Sequence, residues 1–181
     1  MKKILLLFTC CLIAITIQAQ NKHLKFMGIP LNGTITQFQS KLVAKGLTPY
    51  NELNKMLPVG GRAFEGTFAG EKATIHTYYN AKTKIVYRAK AVIVSSNRED
   101  IENKLKKYKN LLIEKYLFSE GEDYEQEGRP AFILYVLDDD EDYLGVISLY
   151  TTYHDYEYAL HIDYEDDTNS DSNKSKNMDD L

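Results

Sequence analysis

The chain has 181 residues, with 22 Lys+Arg against 26 Asp+Glu for a formal charge of -4, two Cys and no Trp. That length holds one core rather than several catalytic domains, and 44% hydrophobic with 27% charged residues is a folding composition, not a disordered one. The acidic balance argues against a nucleic-acid binder, which needs a phosphate-neutralising surface.

Met1-Lys2-Lys3 is a charged start, Ile4 to Ile17 an apolar run, and Ala19 a small residue placed for cleavage. The run of 14 residues falls short of the ~20 that span a bilayer. Residues 1–19 therefore read as a secretory signal, which sends the protein to the periplasm or the medium and leaves no transmembrane segment in the mature chain. Cys10 and Cys11 both lie inside it, so the mature chain has no disulfide, no thiol nucleophile and no Cys-based zinc site. Lipidation at Cys10 or Cys11 is the alternative, opposed by the bulky Phe8 just before them.

The first helix is announced by Thr34-Ile35-Thr36-Gln37, a capping box, with Ile35, Phe38 and Leu42 on one face and Gly46 as the stop. Thr48-Pro49 reads as the start of a shorter helical turn. Strands follow at about 62–69, 71–80 and 84–94. A second capping box at Ser96-Asn97-Arg98-Glu99 opens a helix whose apolar stripe is Ile101, Leu105, Tyr108 and Leu112. Residues 119–129 read as a loop, and strands follow at about 130–137, 143–153 and 156–164. Glu165 to Leu181 holds six acids and two lysines with no apolar period, and reads as a disordered acidic tail.

Register follows from the turns. A two-residue loop at His154-Asp155 pairs Leu149 with Leu160 and Ile147 with Ile162 on an apolar face, and Ser148 with His161 on a mixed one. The hairpin before it turns through Asp138 to Asp142. Pairing Leu137 with Tyr143 sets Ile133 opposite Ile147 and Ala131 opposite Leu149 on the core face. A loop at Ala81 to Thr83 sets Tyr79 opposite Ile85 and Ile75 opposite Ala89, with Val86 on the other face among Lys72, Arg88 and Lys90. On this register Phe132, Leu134, Val136, Val146 and Tyr150 form an apolar and aromatic patch on the face away from the helices. Contiguous apolar surface of that kind marks a partner site. Cover by the N-terminal segment or by residues 119–129 is the alternative.

No motif calls for a metal or a cofactor. His154 and His161 would lie ~17 Å apart along one hairpin, and no HxxxH or HExxH spacing occurs. His76 falls opposite Arg88, a poor place for a cation. Asp138 to Asp142 begins like a calcium loop, but Tyr143 stands where Gly is required and Leu149 where Glu is. Ser148, His161 and Asp163 share a face, yet a flat sheet offers no oxyanion hole. Ten of the 14 tyrosines fall in the expected strands, where they serve equally as β-formers and as contact residues.

The segment Phe26-Met27-Gly28-Ile29-Pro30-Leu31-Asn32-Gly33-Thr34, followed by Phe38, Leu42 and Lys45-Gly46, resembles the start of small secreted proteins of Bacteroidetes. The tandem helix-then-sheet order also resembles β-lactamase inhibitory protein and small outer-membrane assembly lipoproteins. That resemblance implies a sheet face usable for binding a protein.

The expectation is an α+β protein of two α-β-β-β units, 34–94 and 97–164, within one domain of residues 20–164, the antiparallel sheet having helices on one face. Its function is read as a non-enzymatic, exported binding protein of the bacterial envelope, with a protein or glycan partner and no nucleic acid. An envelope hydrolase or a glycan-binding accessory protein is the alternative.

Overall fold

The computed structural model describes residues 23–170. The expected signal peptide and residues 171–181 of the expected tail lie outside the described residues.

The chain begins with a small hairpin, β1 (Lys25–Phe26) and β2 (Ile29–Pro30). Helix α1 (Ile35–Ala44) follows, capped as its sequence demands. Thr34 Oγ accepts from the Gln37 N–H, the Gln37 side chain accepts from the Thr34 N–H, and Ile35, Phe38 and Leu42 are buried. Thr48-Pro49 does not open a helix. It forms β3 (Thr48–Pro49), paired with Phe64 and Glu65, and the one-turn helix α2 (Asn51–Asn54) starts after it. The cause is local: the Asn54 side chain bonds both the N–H and the C=O of Ala63, tying the turn to the sheet edge.

Strands β4 (Gly61–Phe68), β5 (Glu71–Tyr79) and β6 (Val86–Ser95) form an antiparallel meander. Helix α3 (Arg98–Lys115) is capped by Asn97 rather than Ser96: the Asn97 side-chain oxygen accepts from the N–H groups of Glu99 and Asp100. Its stripe of Ile101, Leu105, Tyr108 and Leu112 is buried as its spacing requires. A second meander completes the fold: β7 (Glu120–Gln126), β8 (Arg129–Leu137), β9 (Tyr143–His154) and β10 (Glu157–Asp166). The large sheet has the order β3-β4-β5-β6-β10-β9-β8-β7. Each meander runs from one edge to the centre, where β6 and β10 pair antiparallel. Helix α3 carries the chain from the centre back to the far edge. The result is an α+β fold with its helices on one side of an antiparallel sheet.

Strand β7 replaces the loop expected at 119–129. Its sequence, EGEDYEQ, hides the strand because acids fill both faces. On the helix side Asp123 takes Lys109 Nζ at 2.5–2.6 Å, and Gly121 leaves room for the Phe132 ring where a Cβ would collide. Charge along an outermost strand also discourages a second chain from adding to it.

Turn geometry moves the registers. The last hairpin turns at Asp155-Tyr156, both with φ in the left-handed region (+48° and +66°), not at His154-Asp155. Pairing shifts by two, to Leu160 with Thr151 and Ile162 with Leu149, so the faces are preserved. Ile75 likewise pairs Ala91 instead of Ala89. A bulge between Tyr78 and Tyr79 brings Val86 into the core. The consequential change lies between β8 and β9. Leu137 does pair Tyr143, but a bulge then sets Val136 against Gly145, Leu134 against Ile147 and Phe132 against Leu149. An odd shift exchanges the faces. Gly145 permits it: at φ +143° a Cβ would run into the Glu165 carbonyl oxygen.

The core fills the space between sheet and helices. The N-terminal hairpin joins it: Leu24, Phe26, Ile29 and Leu31 are buried, and the Phe26 ring packs on Phe68 (5.4 Å) and edge-on to Tyr164 (5.3 Å). Strand β10 extends beyond the expected end at residue 164. Its last residue, Asp166, is fully buried and accepts from the Leu24 N–H at 2.9 Å, with His23 Nδ1 at 3.1 Å. The first residues assigned to a disordered tail thus close the fold, clamping its two ends together.

Candidate functional site: the helix-free face of the sheet

The odd register shift divides the five expected site residues. Phe132, Leu134 and Val136 lie on the helix side, 1%, 1% and 0% exposed, and are core. No partner reaches them in the folded protein. Val146 and Tyr150 are half-buried on the opposite face. The expected apolar patch does not exist as a unit.

The face bearing Val146 and Tyr150 has no helix packed on it among the described residues, and its composition is polar and aromatic. Its middle row, read across the sheet, is Glu122, Ile133, Ser148, Asp163, Lys90 and His76. One flanking row carries Tyr124, Tyr150 and His161. The other carries Glu120, Tyr135, Glu165, Arg88 and Tyr78. Alternation along each strand brings these side chains to one face; on β8, β9 and β10 the residues between them, such as Phe132, Leu134, Ile147, Leu149 and Ile162, point into the core.

The contacts form a network. Arg88 reaches diagonally to β10, donating from Nε at 2.9 Å and Nη2 at 2.5 Å to the two Asp163 oxygens; the Asp163 carboxylate is buried, while the Arg88 side chain stays about a third exposed. The Asp163 bond raises the Arg88 pKa further above its ordinary value. The Arg88 guanidinium also lies 5.3 Å from the Tyr78 ring centre. The Tyr150 ring stacks on His161 at 4.6 Å and 5°. His161 Nε2 is 2.8 Å from Thr152 Oγ, while its Nδ1 is buried without a partner.

Burial and the Lys90 charge lower the pKa of both His76 and His161 to about 4, against a weaker opposing pull from Asp163. Both imidazoles are neutral at pH 7. Burial raises Tyr150 to about 12 and moves Tyr78 the same way, so both phenols keep their protons. Burial lowers the Lys90 pKa, with Asp163 opposing and Arg88 reinforcing the shift.

This network does not assemble a catalytic triad. Ser148 faces Asp163, not His161; the His161 nitrogen goes to Thr152, and Asp163 is held by Arg88. His76 stands opposite Lys90 rather than Arg88. His154 is exposed beside Asp155 at the hairpin end. The acidic hairpin satisfies itself, with Asp138 accepting from the N–H groups of Asp140 and Asp142 at 2.9 Å each. Among the described residues no three His, Asp or Glu side chains are grouped to hold a metal ion. A cleft of about 660 Å³ lies at the rim between His23, Lys115, Tyr116 and Asp138 to Asp140, and no Ser, Thr or Cys is among the residues that line it. Among the described residues, no helix is long and apolar enough to cross a membrane.

Compared with known proteins, the chain matches no family model, no curated protein and no solved structure.

The sequence reading missed Arg88, Lys90, Asp163 and His161 as members of one cluster. Their alternation on β6 and β10 was a usable signal, but only pairing β6 with β10 places them side by side, and no local feature specifies that long-range contact.

Proposed function

We propose that this chain is an exported, non-enzymatic binding protein of the bacterial envelope that receives another macromolecule on the helix-free face of its sheet. The observation that carries this reading is the composition of that face. Tyr78, Tyr124, Tyr135, Tyr150 and Arg88, the residue types favoured at interfaces, lie on one surface with no helix packed over them among the described residues. The charged start and apolar run of residues 1–19 support export.

Capture from envelope and secreted fractions tests the reading. The mature chain would be compared with Tyr135→Ala and Val146→Asp on the helix-free face and Val43→Asp on exposed α1, each checked for folding. A partner retained by the parent and by Val43→Asp, and lost from the other two, is expected. Equal capture by all four proteins, or none, would remove the face as a binding site.

A further inference from the structure

The two edges of the large sheet are finished differently. At one edge β3 pairs with Phe64 and Glu65, and the Asn54 side chain bonds the N–H and C=O of Ala63, so the chain itself closes β4. At the other edge β7 is the last strand, and no described element pairs with its outer side. It is a regular strand of seven residues, without Pro and without a register shift against β8. An edge of that kind is a template for an added strand. The turn fixes which backbone groups it offers. Glu127 and Gly128, both with φ in the left-handed region, make a two-residue loop that pairs Gln126 with Arg129. Hydrogen-bonded pairs alternate back from there. Gln126, Tyr124, Glu122 and Glu120 therefore bond to β8, while Glu125, Asp123 and Gly121 turn their N–H and C=O outward. Pro130, which has no N–H to give, stands opposite Glu125, in keeping with that alternation.

We infer that the β7 edge receives an extended segment of a partner protein, with basic residues at alternate positions and an apolar residue between them. The inference concerns the edge rather than the face proposed above and stands independently of it. Side chains select the occupant. Glu120 and Glu122 project on the helix-free face, are exposed and have no ion pair among the described residues. A strand bonded to Gly121, Asp123 and Glu125 sets its own residues directly beside these two acids. The spacing there is the ~4.5 Å of a non-hydrogen-bonded pair, where bases are favoured and acids repelled. Gly121 between them carries no side chain, and the exposed Leu117 and Phe118 lead into the strand at that end. That setting suits an apolar residue. Asp123 is already held by Lys109 and calls for no base. A second copy of this chain fits poorly, because its own β7 carries acids at 120, 122, 123 and 125 and no base.

The test titrates the labelled mature chain, followed by NMR, with the blocked peptide acetyl-Thr-Lys-Val-Lys-Tyr-Thr-amide. Three comparison peptides carry Glu for both Lys, an N-methyl group on Val, or an N-methyl group on the first Lys. The parent peptide should bind saturably at about millimolar concentration or below. Amide exchange at Gly121, Asp123 and Glu125 should slow, with Glu120, Glu122 and Tyr124 unchanged. The Glu peptide and the N-methyl-Val peptide, which loses the amide facing the edge, should bind at least fivefold more weakly. The N-methyl-Lys peptide, altered only on its outer side, should bind as the parent does. Glu120→Lys combined with Glu122→Lys should reverse the preference between the Lys and Glu peptides. Glu125→Pro, which removes an outward N–H and leaves the β8 pairing intact, should weaken the Lys peptide at least threefold. No saturable binding, equal binding of the Lys and Glu peptides, or indifference to N-methylation of Val would overturn the inference. Protection of the same three amides in the free chain, rising with its concentration, would also overturn it by showing a second copy at the edge.

Discussion

His76 and His161 are half-buried beside Lys90, and that placement makes stability depend on pH. Their folded pKa values, about 4, lie below the ordinary 6.5 of an unfolded histidine. Between those values the unfolded chain binds protons that the folded chain refuses. Stability is therefore complete above about pH 7 and falls as pH drops from 6.5 towards 4, by on the order of 2 kcal/mol per histidine. The groups that set this are Lys90 for both, Asp163 opposing it, and His76 acting on His161. Denaturant midpoints from pH 7.5 to 4.5 check it: His161→Gln should flatten the slope, and an unchanged slope would contradict the assignment. The individual histidines were visible in the sequence, and so were the reasons against metal binding. Their common neighbour Lys90 was not, because His76 and His161 come from β5 and β10, which meet only across β6.

At the scale of elements, caps and apolar stripes were legible because they are local. Thr34 and Gln37 lie three residues apart, and Ile101, Leu105, Tyr108 and Leu112 repeat on one helix face. The face assignment of β8 was not legible. A bulge adds one residue to a strand and exchanges its faces, and nothing in the sequence around Val136 marks it except Gly145 in the facing strand. Two substitutions test this. Phe132→Ala should cost about 3–5 kcal/mol, as a core truncation does, whereas Val146→Ala should cost under about 1 kcal/mol. Equal small effects would restore the unbulged register. Gly145→Ala should cost at least about 2 kcal/mol, because its φ and the Glu165 carbonyl leave no room for a Cβ. A further check is the cap of α3: Asn97→Ala should lose about 1 kcal/mol, with Ser96→Ala near neutral. All five are read from urea unfolding midpoints.

For the whole molecule, two meanders meet at β6 and β10, and the N-terminal hairpin and the end of β10 clamp each other through Asp166. The α+β class with helices on one side followed from the order of helix and strand signals. The clamp did not, since Glu165 to Ser170 look like tail: their packing depends on Leu24 and Leu31, more than 130 positions away. Truncation at residue 164 should therefore destabilise the fold, whereas export with cleavage after Ala19 leaves His23 and Leu24 in place. The division of the sheet into a buried helix side and a polar helix-free side underlies the proposed function. The most direct test is site-specific photo-crosslinking in the native host, with the photoreactive residue at Val146 on one face or at Val43 on the other. The account predicts one defined crosslinked species from Val146 and none from Val43. Crosslinks from Val43 alone, or no species from Val146, would contradict it.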